Sequence, residues 1–103
     1  MVRLVEARLR LYDAIAPAAR AARIGAWRHP VLAEQIASTR SYLRHQLERL
    51  FARELDALGP HRAPAALAAV DALCSFEAAE LLHDGEGPPA DALVHAVGRL
   101  LAP

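Results

Sequence analysis

The stretch from Pro64 to Gly85, PAALAAVDALCSFEAAELLHDG, constrains the fold more than any other, because it is apolar around almost its whole circumference. At about 100° per residue, one helix over these residues sets Leu67, Val70, Leu73, Cys74 and Leu81 on one broad face. Ala65, Ala69, Ala72, Phe76 and Ala79 then fill the opposite side. A helix apolar all round has to be covered on two sides. The expectation is a central helix, packed by the rest of the chain on its leucine side and by a second copy or another domain on its alanine and Phe76 side.

The remainder also reads as helix. With 54% apolar residues, mostly Ala and Leu, and few β-branched or aromatic ones, the chain favours helix and leaves little or no strand. Residues 2–16 form an amphipathic helix whose apolar arc holds Leu4, Val5, Leu11, Tyr12 and Ile15; with no capping residue before it, it reads as the middle of a longer helix. Pro17 is expected to kink or end that helix, because it lacks a backbone donor and its ring crowds the carbonyl four residues back. A second piece, 18–24, ends at Gly25, and 26–30 form a connector.

The longest predicted helix runs from Val31 to about Leu58, about 40 Å at roughly 1.5 Å per residue, and is stopped by Gly59 and Pro60. Its seam, Leu32, Ile36, Arg40, Leu43, Leu47, Leu50, Glu54 and Leu58, alternates fours and threes, as in antiparallel bundles. A loop over 59–63 leads to Pro64, which suits a first helical turn. After the central helix, HDGEGP is a breaker cluster, and Pro89 opens a last helix to about Ala102 with Leu93, Val97, Leu100 and Leu101 on its apolar arc. The fold class is therefore all-α, an antiparallel helical bundle of about five helices in one domain over 1–103.

The 12 basic residues, all Arg, balance the 12 acidic ones, so bulk charge gives no reason to expect nucleic-acid binding. Their distribution is uneven: residues 1–53 carry ten Arg against four acids, and 54–103 carry two Arg against eight. Two oppositely charged halves can simply pack together; the alternative is a basic docking surface for another domain. The single cysteine, Cys74, sits among apolar neighbours, which excludes a disulfide framework and favours a buried structural thiol in a reducing compartment. No run approaches about 18 uninterrupted apolar residues and the first residues alternate charge with Leu, so the expectation is a cytoplasmic protein without a membrane span.

Recognised catalytic motifs are missing: there is no Gly-x-Ser-x-Gly, phosphate loop, dinucleotide fingerprint or Cys-x-x-Cys. Glu80-Leu-Leu-His83 has the spacing of a di-iron carboxylate pair, but the second such pair and the extra carboxylates do not exist here. The chain is therefore read as a non-enzyme, with neither a metal site nor a cofactor. The more informative anomaly is charge within the apolar seams. Arg8 lies between Leu4, Tyr12 and Ile15, Arg40 interrupts the long helix, and Glu77 lies between Cys74 and Leu81. A bare charge in a core is costly, so each needs a partner, a route to solvent or a ligand. Arg40 and Glu77 are expected to face each other across the core.

SFEAAELLH, within the frame PAALAAVDALCSFEAAELLHDGEG, resembles the ligand-binding and dimerisation part of TetR-family transcriptional regulators, in which a segment like SFExWxxLL lies in the penultimate helix. Ser75, Phe76, Glu77 and Leu82 match, whereas Ala79 stands in place of the usual Trp. The resemblance covers residues 8–102 by pattern and implies a homodimer, formed through helices of about 64–84 and 89–102. Ala69, Ala72, Phe76, Ala79, Glu80, Val97 and Leu101 would lie at that interface. It also implies a pocket for an unidentified small-molecule effector, lined by Arg8, Tyr12, Arg40, Leu43, Leu47, Cys74 and Glu77. DNA would be bound only by an N-terminal helix-turn-helix domain, which nothing in this chain resembles. The alternative expectation is a stand-alone helical homodimeric interaction protein without a pocket or DNA binding.

Overall fold

The computed structural model describes residues 1–85 and 87–103, and these form five helices with no strand among the described residues. They are α1 (Val2–Gly25), α2 (Pro30–Leu50), α3 (Ala52–Leu73), α4 (Phe76–His83) and α5 (Pro89–Leu101). Pro30 and Pro89 each occupy a first helical turn, where their missing donor costs nothing. The helix-rich composition is thus realised as an all-α bundle, as the periodicity required.

The core is built where α3 packs against α5 and the end of α2. Leu47, Phe51, Leu55, Leu58, Ala66, Val70, Cys74, Val97 and Leu101 form one buried cluster, with Leu67 and Leu100 packed against it. Each fully buried Leu or Val contributes roughly 1.5–3 kcal/mol. Buried positions along α2 and α3 recur at Leu47, Phe51, Leu55 and Leu58, so the stripe that enters the core agrees with the expected seam at Leu47 and Leu58 but passes through Phe51 and Leu55 between them. Leu50 and Glu54 lie exposed, because after Leu47 the core face continues at spacings of four, four and three. The chain also bends at Phe51 (φ −106°, ψ 24°), which divides the expected helix 31–58 in two.

Gly59 interrupts the chain as expected, at φ 85° and ψ 172°, a conformation that suits glycine and is not helical. The loop over 59–63 does not form, however: Gly59 makes the turn alone, and helix resumes at once with Pro60 and continues through Pro64. Pro17 does not end α1 either. Its missing donor leaves unserved only the carbonyl of Asp13, and both residues lie on an exposed face where solvent can take that acceptor.

The largest departure concerns the organising stretch. The central helix is not continuous to residue 84: α3 ends at Leu73 and α4 begins at Phe76. Ser75 causes the break, adopting extended backbone (φ −82°, ψ 163°) while its hydroxyl accepts from the Ala78 amide at 3.2 Å and donates to the Ala72 carbonyl at 2.6 Å. This is an N-cap that starts a new helix. Past it the facing changes, so that Leu81, expected on the face of Val70 and Cys74, stands 77% exposed. The breaker cluster 83–88 includes Glu86, which lies outside the described residues.

Candidate functional site

Helices α1 and α2 are joined by a short turn in which the Gly25 carbonyl accepts from the Arg28 and His29 amides. Between them lies a cavity of about 460 Å³. Its walls are apolar: Leu11, Ile15, Ala19 and Ala22 from α1, Leu32, Ile36 and Leu43 from α2, and Phe76 from α4. The spacings 11, 15, 19, 22 and 32, 36, 39, 43 each keep to one helical face, so two facing stripes form the slot. Asp71 and Ser75, from the joint between α3 and α4, also line it.

Charged and hydrogen-bonding groups sit at one part of this slot. Arg8, 5% exposed, donates from Nη1 to the Cys74 carbonyl (3.2 Å) and from Nη2 to the Leu43 carbonyl (2.8 Å) and Gln46 Oε1 (3.0 Å). The Tyr12 hydroxyl donates to the same Cys74 carbonyl at 2.7 Å. Both side chains therefore fasten α1 to the helix break, satisfying a carbonyl that the end of α3 would otherwise leave unpaired. Burial pushes the Tyr12 hydroxyl above its usual range, against the opposing pull of Arg8, and burial likewise raises the Cys74 thiol. A raised pKa keeps that thiol protonated and unreactive.

Arg40 meets Asp71 at 3.3 Å and Glu77 at 3.6 Å. Asp71 is buried and also approached by Arg44 at 4.0 Å. Arg40 and Glu77 do face each other, but at the rim and not across the core: their side chains are 45% and 51% exposed. Glu80 is held by Arg20, and by Arg23 at 2.8 Å, and those hydrogen bonds lower its pKa. Arg23 also lies over the Phe76 ring, 5.5 Å from its centroid, and Tyr12 meets that ring edge-on at 5.8 Å. The basic and acidic halves of the chain thus pair across the α1–α4 and α2–α3 contacts.

The structure places five of the seven expected pocket residues, Arg8, Tyr12, Arg40, Leu43 and Glu77, on the cavity wall. Leu47 and Cys74 are corrected to the core cluster: α2 enters the core one turn past Leu43, and Cys74 is covered by the end of α3. Leu11, Ile15, Leu32 and Ile36, which the sequence shows as apolar stripes, line the cavity as well. Asp71 was missed, although an acid between Val70 and Cys74 carried the same signal as Glu77.

The expected dimer residues are redistributed. Val97 and Leu101 are buried in the chain's own core. Phe76 lies on the cavity wall against Tyr12, Ala79 faces a groove beside α1 with Leu9 and Tyr12, and Glu80 is engaged by α1 arginines. The break at Ser75 is the physical reason, since it swings the Phe76 side onto α1. Ala72 alone of the set is exposed, with Ala69 half-buried.

A larger depression, about 540 Å³, lies beside α4, but apart from Leu81 its walls are polar, Arg20, Arg23, Glu77, Glu80, His83 and Asp84, with the two arginines engaged by Glu77 and Glu80. No group of three or more His, Cys, Asp and Glu among the described residues could hold a metal ion. No described helix is long and apolar enough to cross a membrane. Fold and cavity together define a helical bundle with an open apolar slot between its first two helices. Comparison with protein-family models, with curated proteins and with solved structures returned no match.

Proposed function

We propose that this chain is a regulatory domain that binds a small apolar molecule between α1 and α2, in the manner of the effector domain of a TetR-like transcriptional regulator. The observation that carries the reading is the cavity itself. Its volume lies within the roughly 300–1,000 Å³ of small-molecule sites, and it is lined by apolar side chains with a few convergent polar groups. The wall is mostly apolar, which suits the slot to holding a molecule. DNA binding would belong to a separate domain of the full regulator.

Pairing of two copies has less support than binding. Val97 and Leu101 are used inside the chain and Phe76 and Glu80 are used by α1, so a dimer would have to form on another surface. Sedimentation equilibrium at micromolar concentration separates a dimeric regulatory domain from a monomer of 11.1 kDa.

The binding reading is tested with the neutral fluorophore 1-aminoanthracene. Native protein is expected to bind it with enhanced fluorescence, and Ile36→Trp, which places a larger ring in the slot, should weaken binding by about tenfold or more, a loss of roughly 1.4 kcal/mol. Because the slot is open, the variant should unfold at the same temperature as the native chain. No binding by the native protein, or equal binding by the variant, would refute the reading.

A further inference from the structure

We propose that the molecule held between α1 and α2 is an amphipathic anion, an apolar body carrying a carboxylate-type head group that is met by Arg8 and the first turn of α4. This rests on the small-molecule reading of the cavity and adds the chemistry of the ligand. Three arginines and two acids line the slot: Arg8, Arg23 and Arg40 against Asp71 and Glu77. Arg40 is matched by Asp71 and Glu77, and Arg23 by Glu80, with Glu77 further off at 3.9 Å. Arg8 is the exception. Its partners are two backbone carbonyls and a glutamine amide oxygen, all neutral, and no carboxylate pairs with it among the described residues.

A guanidinium stays charged in a protein, so a positive charge is held in a largely buried position without a counter-ion. Such a charge is expensive unless paired. The Nε–H of Arg8, moreover, has no hydrogen-bond partner among the described residues, although it is shielded from solvent. An anion brought into the slot would supply the missing charge and, with a turn of the Arg8 side chain that brings Nε to the slot, an acceptor for a charge-assisted bond, the stronger class of hydrogen bond.

The start of α4 acts in the same sense. Ser75 Oγ serves the Ala78 amide and the Ser75 carbonyl serves the Ala79 amide, which leaves the Phe76 and Glu77 amides without an acceptor inside the helix. Both residues, with Ser75, line the cavity. Unserved amides at a helix N-terminus carry partial positive charge and favour anions. The Glu77 carboxylate on this turn works against an anion, but it lies at the rim beside Arg40 and is half exposed. The remaining wall, Leu11, Ile15, Leu32 and Ile36, has no charge to offer and takes the apolar body.

The test compares three amphiphiles of one chain length, dodecanoate, dodecanol and dodecylammonium, by calorimetry on the full chain below their aggregation concentrations. Dodecanoate is expected to bind at least about tenfold more tightly than dodecanol, with dodecylammonium weakest. Arg8→Met should erase the advantage of dodecanoate and leave dodecanol binding in place. Should that variant fail to fold, the native chain decides the question through the ¹⁵N–¹H signal of Arg8 Nε, which should move on addition of dodecanoate and stay still with dodecanol. Equal affinity for dodecanoate and dodecanol, or an unmoved Arg8 Nε signal, would overturn the anionic head group while leaving the apolar slot intact. If none of the three binds, the small-molecule reading itself falls, and the anion with it.

Discussion

The two ends of this bundle are made differently. Around α3 and α5, side chains such as Leu47, Val70 and Val97 are sealed from solvent, whereas from Asp13 to Gln46, through most of α1 and α2, not one residue is buried. Both regions are helical and both carry an apolar stripe. In the first the stripes meet; in the second Leu11, Ile15, Leu32 and Ile36 stand apart and enclose a slot. Apolar patterning therefore specifies that a face is to be covered, but whether the cover is the chain itself or a ligand depends on how closely the helices approach.

The sharpest way to break that contrast is to truncate one residue on each side. Leu47→Ala should destabilise the fold by about 3 kcal/mol, because a sealed site cannot refill the lost volume. Ile36→Ala should cost less than about 1 kcal/mol, since its side chain borders open space. Urea unfolding measures both, and equal losses would mean that the α1–α2 arm is as much a part of the core as α3. The same contrast predicts that amide hydrogens of 13–46 exchange well before those of Leu55, Val70 and Val97. Uniform protection in hydrogen exchange would contradict it.

A smaller effect is expected at the seam between the regions. Tyr12→Phe removes the bond to the Cys74 carbonyl, which Arg8 still serves, and should cost about 1 kcal/mol of stability. Smaller again is the coupling of Arg40 with Glu77. In an apolar seam it would have been worth several kcal/mol, but at a half-exposed rim a double-mutant cycle of Arg40→Met and Glu77→Gln should yield less than about 1 kcal/mol. The least is the pH response of Glu80. Its folded pKa is lowered by Arg20 and Arg23, so its contribution is present above the ordinary value of 4.5 and is lost as pH falls through the lowered one. Glu80→Gln should flatten that acid limb of the stability profile, and an unchanged limb would show that the ion pair does not tie α4 to the arm.

Much of this architecture was legible in the residues, and the failures have definite causes. Gly25, Gly59, Pro30 and Pro89 mark boundaries because their backbone chemistry acts locally, whatever packs around them. The bend at Phe51 has no such mark: Leu50, Phe51 and Ala52 are all compatible with helix, and tertiary packing alone decides it. Ser75 did carry a signal, a capping side chain in front of an acidic first turn, but the apolar run on either side outweighed it. The break at Ser75 turns Phe76, Ala79 and Glu80 from the expected outer face to the contact with α1. At the slot, the charges at Arg8, Arg40 and Glu77 stood out as defects in an apolar pattern. The slot's walls did not, because a stripe that lines a cavity and a stripe that packs a core are written alike.

The double fastening at Cys74 also has a bearing on the order in which the molecule assembles. Arg8 and Tyr12 reach a carbonyl 66 and 62 residues further along the chain, so this junction closes a loop containing most of the polypeptide. Contacts of such separation pay a large closure entropy, whereas the turns joining α2 to α3 and α3 to α4 pay far less. The acceptor, besides, exists only once α3 has stopped at Leu73 and the chain has turned into Ser75. Attachment of α1 is therefore expected late on the way to the native state, and substitutions at Arg8 or Tyr12 should speed unfolding more than they slow folding.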